Sequence, residues 1–135
     1  MRIADKIDEI EKYLTELKSF VPTNYKLYTS DPKTKAACER YFEKIIEAVV
    51  DLVFLIIKEN SFKIPEDDKE SFDILVKEQI IPQNLADRLK DAKGMRNIIA
   101  HQYGNVDDEL VFESITDELI TDVGEFITHL QKNKL

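Results

Sequence analysis

Apolar side chains recur along the chain at intervals of three and four residues, which is the period of one face of an α-helix. Near the N-terminus the pattern is carried by Ile3, Ile7, Ile10, Leu14 and Leu17. It breaks at VPTNYKLYTSDP, where we predict a loop that contains Tyr25 and Tyr28. Asp31 and Pro32 then provide an N-cap and a first-turn proline for a second helix, predicted over about residues 32 to 59.

Three further helices are predicted downstream. KESFDILVKEQ forms a short third helix, and IIPQNLADRLKDAKGMRNIIAHQY forms a fourth that is entered at Pro82. After GNVDD, a fifth helix carries apolar positions three or four residues apart, namely Val111, Ile115, Leu119, Val123, Phe126 and Leu130. No segment shows the alternation of a strand, and 135 residues suit one domain. The sequence therefore predicts a single all-α domain over residues 1–135, an up-and-down helical bundle of about five helices.

The second helix is apolar on nearly every side between Ile45 and Ile57. This run is shorter than the roughly 20 residues of a membrane span, and it contains Glu47 and Asp51. A helix that is apolar on most sides must be covered on most sides. We therefore predict a homodimer that packs through the second and fourth helices. The alternative is a central helix covered entirely by its own chain.

Composition narrows the possible functions. The formal net charge is −8, which disfavours general nucleic-acid binding, because that affinity comes mainly from Lys and Arg. A nucleic-acid function would therefore need a local site or a partner. The single cysteine, Cys38, excludes an intramolecular disulfide, and two histidines without familiar ligand spacing predict neither a metal nor a cofactor. The charged N-terminal stretch does not resemble a signal peptide, so we expect a cytoplasmic protein.

Candidate chemistry is concentrated in MRNIIAHQYGNVD, at the end of the fourth helix. Asn97 and His101 lie four residues apart and share a face, while Arg96 and Tyr103 lie seven apart and share an adjacent one. Arginine matches phosphate oxygens, histidine can accept or deliver a proton, and asparagine and tyrosine add polar contacts. This set suits a phosphodiester, if a groove between helices or subunits brings it onto one ligand. The alternative is a helix that merely ends in a polar turn.

A polar stripe on the second helix supplies further candidates. Arg40, Glu47 and Asp51 can face the same cleft, where Asp51 would orient Arg96 or His101. The alternative is a stripe that faces solvent. Gly94 is unusual inside a helix, and either close helix approach at the cleft or fraying would explain it.

The motif resembles the R-x4-6-H signature of the HEPN (higher eukaryotes and prokaryotes nucleotide-binding) superfamily, in the R-N-x3-H-x-Y form of its HepT-like branch. Supporting matches are ERYFEKIIEAVVDL, SFDILVKEQIIPQNLADRLKDAKGMRN and VDDELVFESI. The resemblance implies a dimeric helical bundle, with the two Arg-His motifs facing a shared cleft, and metal-independent ribonuclease activity. Arg96 and His101 then take the catalytic positions, and Asn97 matches the polar residue that follows the arginine.

The resemblance also implies a partner. In HepT and MntA toxin–antitoxin pairs, of type VII, a nucleotidyltransferase of the MNT type attaches AMP to the tyrosine that Tyr103 matches. We therefore expect an RNA-cleaving toxin with this antitoxin as its partner. One alternative is a non-catalytic nucleotide- or substrate-binding subunit of a nucleotidyltransferase complex, in which the same residues only bind phosphate. Another is a structural helical dimer that leaves the motif unused.

Overall fold

The computed structural model describes residues 2–101 and 107–135, and these residues form a bundle of six helices. The first five are α1 (Ile3–Phe20), α2 (Tyr25–Ser30), α3 (Pro32–Glu59), α4 (Asp68–Lys77) and α5 (Gln83–His101). The sixth, α6, runs without a break through Asp108–Glu113, a π-helical segment Ser114–Leu119, and Ile120–Lys132. The predicted all-α fold is confirmed, and no helix of the described chain is long and apolar enough to cross a membrane.

Local capping fixes where the helices begin. The Asp31 side chain accepts a hydrogen bond from the Lys33 amide at 3.1 Å, and Pro32 occupies the first turn of α3. At α4 the Asp67 carboxylate accepts from the Glu70 amide at 2.7 Å. At α6 Asp107 accepts from the amides of Glu109 and Leu110. The predicted bounds of the second helix are confirmed. They could be predicted because the capping residue and the first-turn proline are recognisable in the sequence.

The loop predicted at VPTNYKLYTSDP is wrong in part, because Tyr25–Ser30 forms the short helix α2. Asn24 caps it by accepting a hydrogen bond from the Leu27 amide at 2.9 Å. Tyr28 is fully buried, and its ring centroid lies 5.0 Å from that of Phe112 on α6. Burial raises the pKa of the Tyr28 hydroxyl well above its ordinary value. The segment is thus a helical clamp between α3 and α6.

The long helix α3 is the centre of the bundle and contacts α1, α2, α4, α5 and α6. Its apolar residues between 45 and 57 are largely buried within the chain itself. This cover removes the reason for which the sequence predicted a homodimer, since the apolar circumference of α3 does not need a second copy. Near its first half, the Lys44 ammonium lies 4.5 Å and 4.9 Å from the ring centroids of Tyr13 and Tyr41, which joins α1 to α3.

Candidate functional site

A groove of about 360 Å³ lies between α3 and α5, near the start of α4. Apolar side chains of α3 and a set of charged side chains from the three helices line it. The lining residues are Ile46, Glu47, Val50, Asp51, Phe54, Asp68, Lys93 and Arg96. The groove therefore brings the arginine of the motif to the polar stripe of α3.

Arg96 is held at the wall of this groove by residues of two helices. Its Nη2 donates to Glu47 Oε1 at 2.5 Å, and its Nη1 donates to Asn97 Oδ1 at 3.3 Å. The Nε atom is buried and has no hydrogen-bond partner among the described residues. Since a guanidinium has five N–H donors, these contacts leave donors for a further acceptor.

Lys93 adds a second cation to the groove, one turn before Arg96 and Asn97. Its Nζ donates to Asn97 Oδ1 at 3.0 Å and lies 3.3 Å from Asp68 Oδ2. The network therefore ties α4 and α3 to the same turn of α5. The sequence analysis missed both Lys93 and Asp68. The spacing of Lys93 and Asn97, four residues apart on one helix face, was the available signal for the first of them.

His101 is the last residue of α5 and is exposed. It shares a face of α5 with Asn97, as the spacing predicted, but it does not line the groove that contains Arg96. Within the described chain, therefore, the structure places the two motif residues on one helix but does not join them in one pocket. A ligand that touches both would have to extend along the last turn of α5.

The polar stripe of α3 divides into three different environments. Glu47 pairs with Arg96, whereas Asp51 lies 3.7 Å from Lys6 Nζ, so Glu47 rather than Asp51 is the carboxylate that contacts the arginine. Arg40 lies outside the groove, its side chain is 61% exposed, and its Nη1 lies 3.5 Å from Glu43 Oε2. The prediction that the stripe faces a cleft thus fits the positions of Glu47 and Asp51 and does not fit that of Arg40.

The remaining candidates are simpler. Tyr103 lies outside the described residues. Cys38 is buried, and burial raises the pKa of its thiol to about 11, which keeps the thiol neutral. Gly94 sits in an unbroken part of α5, and a Cβ atom built there would meet nothing within 4 Å. Close approach between helices of this chain therefore does not explain the glycine.

Comparison with known proteins identifies the family of this chain and several relatives. The family model described as ribonuclease HepT-like matches residues 10–130. A protein of Archaeoglobus fulgidus is 30% identical over 123 residues, which cover 86% of this chain and 81% of the relative. The tRNA nuclease HepT of Aphanizomenon flos-aquae is 28% identical over 114 residues, covering 84% of this chain and 78% of its own.

Solved structures share the fold. The tri-AMPylated HEPN toxin of Shewanella oneidensis, in complex with MNT antitoxin, superposes with a TM-score of 0.87 at 24% sequence identity, and the match covers 96% of each chain. At this identity the likeness speaks for the fold alone. The family match covers far more than half of the sequence, and it confirms both the resemblance seen in the motif and the ribonuclease class. The chain belongs to the ribonuclease HepT-like family.

Proposed function

We propose that the protein is a metal-independent ribonuclease toxin that cleaves RNA with Arg96 and His101. The observation that carries the proposal is the position of Arg96 in a groove between α3 and α5, on the same helix as His101, in a chain of the ribonuclease HepT-like family. The tRNA nuclease among its relatives makes tRNA a sensible first substrate.

Arg96 is the proposed phosphate ligand. Its guanidinium carries a permanent charge and retains N–H donors beyond those used by Glu47 and Asn97. The buried Nε, which has no partner among the described residues, is one of these donors. Held against the non-bridging oxygens, the fork would stabilise the negative charge that these oxygens carry in the pentacoordinate transition state.

His101 is the proposed acid–base group. The RNA 2'-OH would attack its own 3' phosphorus and give its proton to the imidazole, while the O5'–P bond breaks and the departing oxygen takes a proton from water or from a protonated imidazole. The products are a 2',3'-cyclic phosphate and a 5'-OH, so neither a protein nucleophile nor a metal is needed. The exposure of His101 at the end of α5 leaves it accessible to such a substrate.

The same proposal includes a homodimer. An apolar pocket of about 520 Å³ lies at the end of α3, adjoins the groove at Phe54, and includes Phe62 and Ile64. Ile64 is 82% exposed and lies with Phe62 and Pro65 in this pocket, so the apolar surface is contiguous, as is typical of a protein–protein contact. A second copy packed here would place a second groove, with its own Arg96, next to the first, because the pocket adjoins the groove at Phe54.

The proposed partner is a nucleotidyltransferase antitoxin of the MNT type, the partner in the solved complex of the Shewanella oneidensis toxin. It would attach AMP to Tyr103, two residues past His101. The added phosphodiester would compete for Arg96 and block the approach of RNA. A cytoplasmic location, where RNA and ATP are available, belongs to the same proposal.

Cleavage of tRNA by the purified protein, in the presence of EDTA, tests the proposal. We expect a 2',3'-cyclic phosphate product, and we expect His101→Ala to lose activity by about 100-fold or more, since general acid–base groups contribute about 10²–10⁴. His129→Ala, at the other histidine, is the matched control and should keep full activity.

Two outcomes would contradict parts of this scheme. Activity that survives His101→Ala would remove the histidine from the mechanism. A protein that binds RNA and never cleaves any RNA would instead support the non-catalytic binding subunit, which its net charge of −8 also favours over free RNA binding.

A further inference from the structure

A second pocket, of about 220 Å³, lies between α5 and α6, away from the Arg96 groove. Phe42 and Leu119 are buried and form its floor, and Ala92 and Met95 add further apolar wall. The volume is several times the roughly 30 Å³ that one water molecule occupies in the liquid, so it has room for a long side chain.

The rim of this pocket carries negative charge. Asp91, Glu118 and Asp122 line it, and Asp122 is neutralised by Arg88. No residue in ranges 2–101 and 107–135 forms a salt bridge with Asp91 or Glu118. Both are exposed. Desolvation and the charges of Asp122 and Asp91 raise the pKa of the Glu118 carboxyl, which means that the rim carboxylates repel one another and would be relieved by a cation.

The backbone at this pocket is also unusual. Ser114, Glu118 and Leu119 belong to the π-helical segment of α6. Such segments are rare and occur frequently at functional sites, because the wider turn moves side chains away from the positions that an α-helix would give them. Glu118 therefore lines the pocket from a wider helical turn than a regular α-helix would provide.

The chemistry of the pocket selects its ligand. An apolar floor beneath a carboxylate rim matches Lys and Arg, whose aliphatic stems pack on apolar surface while the charged head stays at a polar rim. RNA is disfavoured, because its phosphates would meet the three carboxylates that line the pocket. A second copy is not the occupant that we assign here, because the proposed homodimer packs through the apolar surface at the end of α3, which shares no lining residue with this pocket.

The location of the pocket suggests which protein supplies the basic side chain. Residues 102–106, which include Tyr103, connect the end of α5 to the start of α6. Both of these helices contribute to the pocket, α5 through Asp91 and Met95 and α6 through Leu110, which is 51% exposed. A protein that modifies Tyr103 would act on the chain between the end of α5 and the start of α6, and the pocket between these two helices offers it an anchor.

We propose that the pocket between α5 and α6 binds a lysine or arginine side chain of the nucleotidyltransferase partner and thereby holds that enzyme beside Tyr103. This inference rests on the proposed function, because it takes the partner from it. The Arg96 groove and the docking pocket would then be separate surfaces, one for RNA and one for the antitoxin.

Charge reversal at the rim provides the test. The double variant Asp91→Lys/Glu118→Lys should bind a nucleotidyltransferase antitoxin of the MNT type at least about tenfold more weakly by calorimetry, because a reversed charge opposes the basic side chain. AMP transfer to the variant, followed by mass spectrometry, should slow in parallel. Its RNA cleavage should equal that of the unchanged protein, since neither residue lies in the Arg96 groove.

The matched control is Asp8→Lys/Glu78→Lys, which makes the same change in net charge at two exposed acids outside both pockets. It should keep the partner affinity. If the rim variant binds the partner as tightly as the control does, the docking proposal is wrong. It is equally wrong if the rim variant keeps that affinity but changes the mass of the dimer in light scattering, which would make a second copy the occupant.

The two proposals fail separately. RNA cleavage by the unchanged protein tests the catalytic proposal, whereas the affinity difference between the rim and control variants tests the docking site. A protein that cleaves RNA and shows no such difference would lose only the docking site. One that shows the difference without ever cleaving RNA would retain the docking site and lose the catalytic assignment.

Discussion

At the scale of single side chains, Glu47 and Asp51 have different partners although they lie one turn apart on α3. Both are acidic, both lie on α3 and both line the same groove. One turn of helix decides that Glu47 reaches Arg96, at 2.5 Å, while Asp51 reaches Lys6. The sequence could place both on one stripe, because spacing fixes the face. It could not choose between them, because the register of α3 against α5 is set by packing between residues far apart in the chain.

Glu47→Gln tests whether this contact positions Arg96. Removing the carboxylate leaves the groove more positive, so KM for RNA should fall, while the loosened guanidinium should lower kcat by about 10- to 100-fold. Steady-state cleavage kinetics separate the two effects. Asp51→Asn, one turn away, makes the same change in the charge of the groove, so it should lower KM to a similar extent but leave kcat near that of the unchanged protein. Equal effects of the two variants would mean that only the summed charge of the groove matters.

At the scale of helices, an ion-pair cluster joins α5 to α6. Arg88 on α5 pairs with Asp122, which is 6% exposed. The Nη2 atom of Arg88 lies 2.8 Å from Glu125 Oε2. These contacts raise the pKa of the guanidinium, with the Glu125 hydrogen bond as the largest cause. Without its partner, the Asp122 carboxylate would be buried and uncompensated.

Arg88→Met should therefore lower the free energy of unfolding by about 1–3 kcal/mol, the cost of a buried polar group that loses its partner. Urea denaturation measures the change. The double variant Arg88→Met/Asp122→Asn should recover part of the loss, because it removes the stranded charge as well. Lys63→Met is a control, since it breaks the exposed pair with Glu70 and should change stability by less than about 1 kcal/mol.

The helices also show what periodicity can and cannot reveal. The bounds of α3 were predictable from Asp31 and Pro32. The short helix α2 was missed because six residues with one buried side chain carry no apolar period, although Asn24 is a recognisable cap. The π-helical segment was missed too. Yet Val111, Ile115, Leu119 and Val123 are spaced by four throughout, a pattern that would drift by about 120° on a regular α-helix, so the wider turn explains how all four stay buried.

At the scale of the whole molecule, the proposed homodimer makes a direct prediction about mass. We expect light scattering at micromolar concentration to give about twice the 15.7 kDa mass of the chain. Ile64→Glu should weaken the dimer, because it places a charge on the apolar surface that adjoins the groove. Leu27→Glu, at another exposed apolar residue, should not. A monomeric unchanged protein would contradict any cleft shared between two copies.

Gly94 is a position in α5 at which a substitution should make the protein more stable. Alanine is favoured over glycine inside a helix by up to about 1 kcal/mol, and the space around Gly94 is open. Nothing within the described chain therefore opposes the methyl group of Gly94→Ala. This substitution should raise the free energy of unfolding by up to about 1 kcal/mol. Because Gly94 lies on the turn just before Arg96, a Gly94→Ala protein that gains stability and loses RNA cleavage would reveal a trade between the two properties.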